Sequence, residues 1–288
     1  RATLEGFERF KNKQGLLENV EGWNFLDWVA GWDTGIPPTA LEGSNAALNW
    51  QLVYGYKLAT DLESKIGEPE LAQLWQRRAK ELSKIITKKF WDNEQGLFAD
   101  DLAKQHYSEH SQILAILSGF LSKEKEQEAF RALISNKNLS QTSYYFKHYL
   151  FEVYRKFGRA DLIFEKLKDW DIHFELGLKT TLEEPEPSRS DCHGWASHPL
   201  FHAYASILGI RPGSISYKTI EIKPLLANLE NVRAKVIHPK GLIEIKIAKF
   251  EQVLNAKITL PENTNGQLVL ANTVYPLNAG ENILENIA

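Results

Sequence analysis

Methionine is absent from the 288 residues, and cysteine occurs once, at Cys192. A single thiol excludes an internal disulfide and any cysteine-built metal cluster. It is compatible with a reducing bacterial cytoplasm and equally with a periplasm, so the compartment stays open. No window approaches the roughly 18 consecutive apolar residues of a membrane span, and no signal-peptide pattern opens the chain. Charge of one sign is lacking too: 34 basic against 37 acidic side chains give a formal net charge of −3, which points to neither nucleic acid nor a membrane surface as partner. There is no HExxH pattern. His198 and His202 stand at a metal-compatible spacing without a matching carboxylate, so neither metal nor cofactor is expected. With Arg1 first and no methionine anywhere, the sequence reads as a fragment or processed piece of a longer polypeptide.

What is present is a 43% hydrophobic, 25% charged composition, enough for one large core and a second, smaller domain. Residues 2–18 read as a helix ending near Gly15. An irregular aromatic stretch follows, GWNFLDWVAGWDTGIPP at 22–38, where Trp23, Phe25, Trp28 and Trp32 alternate with Asp27 and Asp33 and the Gly and Pro residues argue against a regular element. Helical spacing then recurs over 44–66, with Ser44 as cap, and from Pro69 to about Trp91. Further helices are predicted at 108–121, 123–135, 141–157, 159–176 and 197–209. Trp50, Trp75, Trp91 and Trp170 fall in these patterns as core. Beyond Pro212 the period switches to two, in YKTIEIKPL, RAKVIHP, LIEIKIAKF, VLNAKITL, QLVLANTV and ENILENI, separated by turn signals. The fold class is therefore mainly α with a C-terminal all-β domain: residues 1–211 helical, 212–288 an antiparallel β-sandwich. Short connections favour stacked helical hairpins. The closed form of such stacking, the (α/α)6 barrel, needs twelve helices where the sequence supplies about eight, so the barrel is expected to be incomplete.

The chemistry concentrates in GLKTTLEEPEPSRSDCHGWASHP, residues 177–199. A surface connection needs only a few polar turn residues; this one carries carboxylates, a guanidinium, imidazoles and an indole, the equipment of a polar-substrate site. Arg189 and Asp191 are expected to pair and brace the loop, and Cys192 to be a small buried residue.

TTLEEPEPSRSDCHGWASHP resembles the corresponding segment of glycoside hydrolase family 78, the α-L-rhamnosidases. WNFLDW, FWDNEQGLFADD, SEHSQILAILSG and the passage GIRPGSISYKTIEIKPLLANLENVRAKVIHPKGLIEIKI resemble further parts of that family, so that the likeness covers nearly the whole chain. The resemblance implies an (α/α)6-barrel catalytic domain followed by a β-sandwich, and inverting hydrolysis of terminal α-L-rhamnosides by two glutamates. It places the general base, in the TT-x-x-E motif, at Glu184, a role that suits this residue if Arg189 or His193 holds it ionised; among the residues themselves Glu183 is the runner-up. It places a sugar-contacting histidine at His193 and a sugar-stacking tryptophan at Trp28. Asp27 and Trp23 are further substrate-binding candidates, Asp27 as a partner for sugar hydroxyls or, equally, as the cap of a turn, and Trp23 as part of an aromatic platform. The family's general acid lies in an Asp-Arg-Asp-Glu-Arg run ahead of the aromatic segment. That run is absent here, so the acid is expected in an upstream part of the same enzyme, with Glu21 and Glu42 as weak substitutes within the chain. The implied ligand is a rhamnose-containing oligosaccharide or glycoside. The rival readings are another (α/α)6-barrel carbohydrate enzyme and a non-catalytic sugar-binding module.

Overall fold

The structure is a computed structural model describing all residues except Gln252 and Asn272. Two compact units are formed, Arg1–Val153 with Leu182–Trp195, and Tyr154–Thr181 with Ala196–Ala288.

In the first unit, α1 (Ala2–Gly6) runs into a short 3-10 turn, Phe7–Phe10. The helix expected to reach residue 18 stops early because the Asn12 side chain takes the backbone N–H groups of Gln14 and Leu16, the local competition by which asparagine ends helices. Strands are absent from 22–38 apart from a bridge between Asp33 and Ile36. Next come α2 (Ala46–Ile66) and α3 (Pro69–Phe90), packed together as a hairpin. The cap of α2 is Asn45, whose Oδ1 accepts from Leu48 N at 3.2 Å, not the predicted Ser44, whose buried hydroxyl has no partner among the described residues. Trp50, Trp75 and Tyr56 are enclosed, and the Tyr56 and Trp75 rings stack with centroids 5.6 Å apart.

A small hairpin, β1 (Trp91–Asp92) with β2 (Leu97–Phe98), turns at Gly96. The next helix, α4 (Glu109–Ser118), is capped by Ser108 and stopped by Gly119 in the left-handed conformation. It packs on α5 (Lys123–Ser135), which spans the predicted range. By contrast α6 (Lys147–Lys156) starts later than the sequence pattern suggested. The N–H groups of Thr142 and Ser143, which would have opened it, are taken by the carboxylates of Glu109 and Asp27 at 2.8 and 2.7 Å.

In the second unit, α7 (Ala160–Leu167) and α8 (Asp171–Glu175) share the range predicted as one helix, joined by a 3-10 turn. Helix α9 (His198–His202) continues into a π-helical turn, Ala203–Ile207. The eight remaining strands are β3 (Ile210–Pro212), β4 (Thr219–Ile222), β5 (Asn231–His238), β6 (Gly241–Phe250), β7 (Val253–Leu260), β8 (Asn265–Leu270), β9 (Thr273–Leu277) and β10 (Gly280–Ile287). They form two four-stranded sheets, β10-β7-β6-β5 and β3-β4-β8-β9. Ile243, Ile245, Ile247, Ile258 and Leu260 of one sheet meet Ile220, Ile222, Leu268 and Leu277 of the other in a single apolar core. Burying each such side chain is worth roughly 1.5–3 kcal/mol. The pairing is antiparallel except between β4 and β8, which run parallel. Among the described residues no helix is long and apolar enough to cross a membrane.

Candidate active site

The aromatic stretch is held from inside by one buried carboxylate. Asp27 Oδ2 accepts from Ser143 N and lies 2.8 Å from His110 Nε2, while Oδ1 accepts from Trp28 N at 3.0 Å and from the Ser143 hydroxyl. Asp27 and His110 are both fully enclosed, and the His110 ring is wedged between Trp32 and Phe146, at 4.8 and 4.4 Å. This corrects the expectation that Asp27 meets sugar hydroxyls: its oxygens are spent on protein donors and none of its surface is open. Its place is behind the site, fixing the backbone from which the Trp28 side chain departs. Gly35 closes the same loop. Its carbonyl accepts from Leu26 N at 2.9 Å, its φ is +75°, and a Cβ there would stand 2.4 Å from the Phe25 ring, so only glycine fits.

The loop 182–195 brings its groups to Trp28. The Trp28 indole N–H donates to Glu183 Oε1 at 3.3 Å, across 155 residues of sequence. Arg189 donates to the same oxygen at 2.5 Å and lays its guanidinium over the Trp28 ring, 4.4 Å from the centroid. Glu183 Oε2 faces His193, whose Nδ1 is 3.9 Å away. The backbone of Glu183 is pinned as well, its N–H to the Ser190 carbonyl at 2.8 Å and its C=O by the Trp195 indole at 2.7 Å. Trp195 in turn stacks on Phe25, with planes 5° apart, and touches Tyr145 and His193 at 4.9 and 4.2 Å. Among the described residues Arg189 pairs with Glu183 and Glu184, not with Asp191 as expected. Cys192 is exposed rather than buried; it sits in the turn after Ser190, whose hydroxyl accepts from its N–H.

Thus Trp28, His193 and a glutamate do come together, but around Glu183 rather than Glu184. The Glu184 carboxylate lies to one side, 3.6 Å from Arg189 Nε. The hydrogen bond from Arg189, aided by its charge, holds the Glu183 carboxyl below the ordinary glutamate range even though burial works against it. Burial pushes the Glu184 carboxyl up, only partly offset by Arg189. Trp23 is 62% exposed. Its N–H is committed to the Thr34 carbonyl and its ring stands 5.1 Å from Phe25 and 6.5 Å from Trp28, so it offers an aromatic face at the outer edge of the cluster. The sequence offers Arg189 chiefly as a brace paired with Asp191, and also as a group to hold Glu184 ionised; the structure sets it closest to Glu183. Its position beside the glutamate pair, six residues beyond Glu183, is the signal that tied it to the site.

What the arrangement can do chemically follows from the two oxygens. Oε1 is saturated by two donors. Oε2 is left with an imidazole too distant for a direct hydrogen bond, so an ionised carboxylate retains one lone-pair face for a water or a hydroxyl.

A family model of the bacterial alpha-L-rhamnosidase 6 hairpin glycosidase domain matches residues 3–207, and one of the bacterial alpha-L-rhamnosidase C-terminal domain matches residues 209–284. Comparison with curated proteins gave no match. Among solved structures, a GH78 family rhamnosidase of Bacillus sp. GL1 is 24% identical, covering 94% of this chain and 31% of that one, with a TM-score of 0.79. An alpha-L-rhamnosidase of Streptomyces avermitilis complexed with L-rhamnose is 16% identical over 97% of this chain and 29% of that one, TM-score 0.76. A rhamnosidase from Klebsiella oxytoca with rhamnose bound is 23% identical over 72% and 40%, TM-score 0.59. At these identities the likeness establishes the shared fold. The chain spans about a third of the length of the first two of these proteins.

Proposed function

Because the chain belongs to the bacterial alpha-L-rhamnosidase 6 hairpin glycosidase family, we propose that the protein is a glycoside hydrolase releasing terminal α-L-rhamnose with inversion, and that Glu183 is its general base. The observation that carries the choice of residue is the convergence of Trp28, Arg189 and His193 on one buried carboxylate. In an inverting reaction the base takes a proton from the water that attacks the anomeric carbon, while an acid on the opposite side, ~6.5–9.5 Å from the base, protonates the leaving oxygen. Arg189 and Trp28 keep Glu183 ionised and fix its plane, leaving Oε2 to accept the water's proton. His193, beside Oε2 and against Trp195, is the group for a sugar hydroxyl. Arg189 covers one face of the Trp28 indole, so a sugar ring packs on the other face, with Trp23 at the rim. The acid belongs to the upstream part of the enzyme. That reading is supported by the lack of the acid motif in this sequence and by the chain's share of its relatives' length. Residues 1–211 and 212–288 are the catalytic and β-sandwich domains of this reading.

A second assignment of the base, to Glu184, is favoured by one observation: burial raises its proton affinity toward the range useful for a base near neutral pH. The two are separated by Glu183→Gln and Glu184→Gln in the full-length protein, assayed with a panel of aryl glycosides. Loss of aryl α-L-rhamnoside turnover in Glu183→Gln alone supports the first assignment, and loss in Glu184→Gln alone supports the second. Turnover of a different glycoside replaces rhamnose as substrate, and rhamnose binding without any turnover reduces the site to a binding module.

A further inference from the structure

The outward face of the sheet β10-β7-β6-β5 carries a charge pattern that folding alone does not call for. Across this face Arg233 stands directly opposite Lys246, Lys246 opposite Lys257, and Lys257 opposite Ile283. Three cations therefore occupy one row, each one strand spacing of ~4.8 Å from the next. Like charges directly across a sheet are destabilising, and the neighbouring row shows the ordinary solution: Lys235 is opposite Glu244 and bonded to it at 2.7 Å. Lys257 reaches Glu281 of that row at 2.6 Å. Among the described residues Arg233 and Lys246 have no such carboxylate and both are exposed. The three cations, with Asn255, Ile283 and Glu285, line an open cleft of about 680 Å³. Among the described residues Glu285 is the one acidic group in its lining.

We propose that this sheet face is a binding surface for an anionic glycan, its carboxylate or sulfate groups seated on Arg233, Lys246 and Lys257. Charge complementarity selects the occupant. The chain as a whole is slightly acidic, with a formal net charge of −3, so it lacks the broad positive field that draws nucleic acid; the positive charge is local and ordered in a row. The choice of a glycan among anions rests on the glycosidase reading, whereas the charge row stands without it. A surface of the same chain that holds an acidic polysaccharide would raise the local concentration of chain ends for the enzyme, as an added binding module does by effective concentration.

The test is biolayer interferometry of the full chain on immobilised polygalacturonate, dextran sulfate, neutral dextran and duplex DNA. Measurements are made at ~0.01 M and ~0.1 M salt, where charge interactions reach ~30 and ~10 Å. The expected result is salt-sensitive binding to polygalacturonate or dextran sulfate and none to dextran, the two arms deciding between carboxylate and sulfate as the recognised group. Arg233→Glu and Lys246→Glu lie on an exposed face and leave the fold intact by circular dichroism. Each weakens that binding at least tenfold, while Lys80→Glu, an exposed lysine on α3, leaves it unchanged. Binding to duplex DNA as tight as to either glycan, equal loss in Lys80→Glu, or no binding to either anionic glycan overturns the proposal. An inactive glycosidase site with intact glycan binding leaves the surface standing, so the two claims fail separately.

Discussion

Replacing Asp27 by alanine tests the frame of the site. The wild-type carboxylate is fully enclosed and serves four protein groups: Ser143 N, the Ser143 hydroxyl, Trp28 N and His110 Nε2. Alanine leaves those groups without their acceptor in a volume that admits no bulk water. A buried donor left unsatisfied costs about 1–3 kcal/mol, more where the lost acceptor is a charged group. Because the four groups share one cavity their costs do not sum, and the expected loss is about 3–5 kcal/mol, at the upper end for a single substitution. At ~2–4 °C per kcal/mol for a unit of this size, the midpoint of thermal unfolding falls by roughly 6–20 °C, followed by far-ultraviolet circular dichroism. Asp27→Asn keeps the shape but turns one acceptor into a donor facing Ser143 N or His110, so it falls between wild type and alanine. Ser143→Ala removes only the hydroxyl partner and costs about 1 kcal/mol. The near-ultraviolet signal of Trp28 changes in Asp27→Ala below the unfolding midpoint, because the backbone bond at Trp28 is lost. If Asp27→Ala unfolds within 2 °C of wild type and weakens only rhamnose binding, Asp27 is a ligand contact after all and the bracing role is wrong.

Other perturbations follow from the same geometry. Gly35→Ala combines a left-handed φ with a Cβ 2.4 Å from the Phe25 ring and is expected to lose about 1–3 kcal/mol, read by denaturant titration. Arg189→Ala removes the main group holding the Glu183 carboxyl down. A carboxylate with a depressed pKa adds stability above its unfolded value of about 4.3 and loses it as pH falls through the folded value. Arg189→Ala therefore loses the near-ultraviolet signature of the Trp28–Trp195 cluster at a higher pH than wild type in an acid titration. Glu184 has the opposite sign, because burial favours its protonated form. Its ionised carboxylate costs stability as pH rises, so Glu184→Gln is at least as stable as wild type at neutral pH in thermal unfolding.

The sequence made the regular parts of this molecule legible. The hairpin of α2 and α3, the span of α5 and the alternating strands after Pro212 are local patterns, and local patterns are what periodicity reports. It failed where a side chain, distant or near in sequence, captured a backbone group. The start of α6 was shifted by carboxylates from Glu109 and Asp27, and α1 was cut short by Asn12. The parallel contact of β4 with β8 is a matter of topology, and QLVLANTV runs across two strands, the end of β8 and the start of β9. In the site, residue types were legible and their grouping was not. Glu183 and Glu184 are adjacent, and a motif read by spacing cannot tell which one faces Trp28 from 155 positions away. Asp27 beside Trp28 could be read as a sugar ligand or as the cap of a turn, and its burial and its bonds to the Trp28 and Ser143 N–H groups favour the second.

The most direct measurement of the central claim is the turnover of an aryl α-L-rhamnoside by the full-length protein carrying Glu183→Gln, with rhamnose affinity measured by calorimetry on the same sample. Loss of a positioned base predicts a fall in kcat of roughly 10²–10⁴-fold, with affinity within about threefold of wild type, since the proposed sugar contacts, His193 and Trp28, are not replaced. Glu184→Gln should stay within tenfold of wild-type turnover. A Glu183→Gln enzyme that retains wild-type kcat would contradict the account, whatever its affinity for rhamnose.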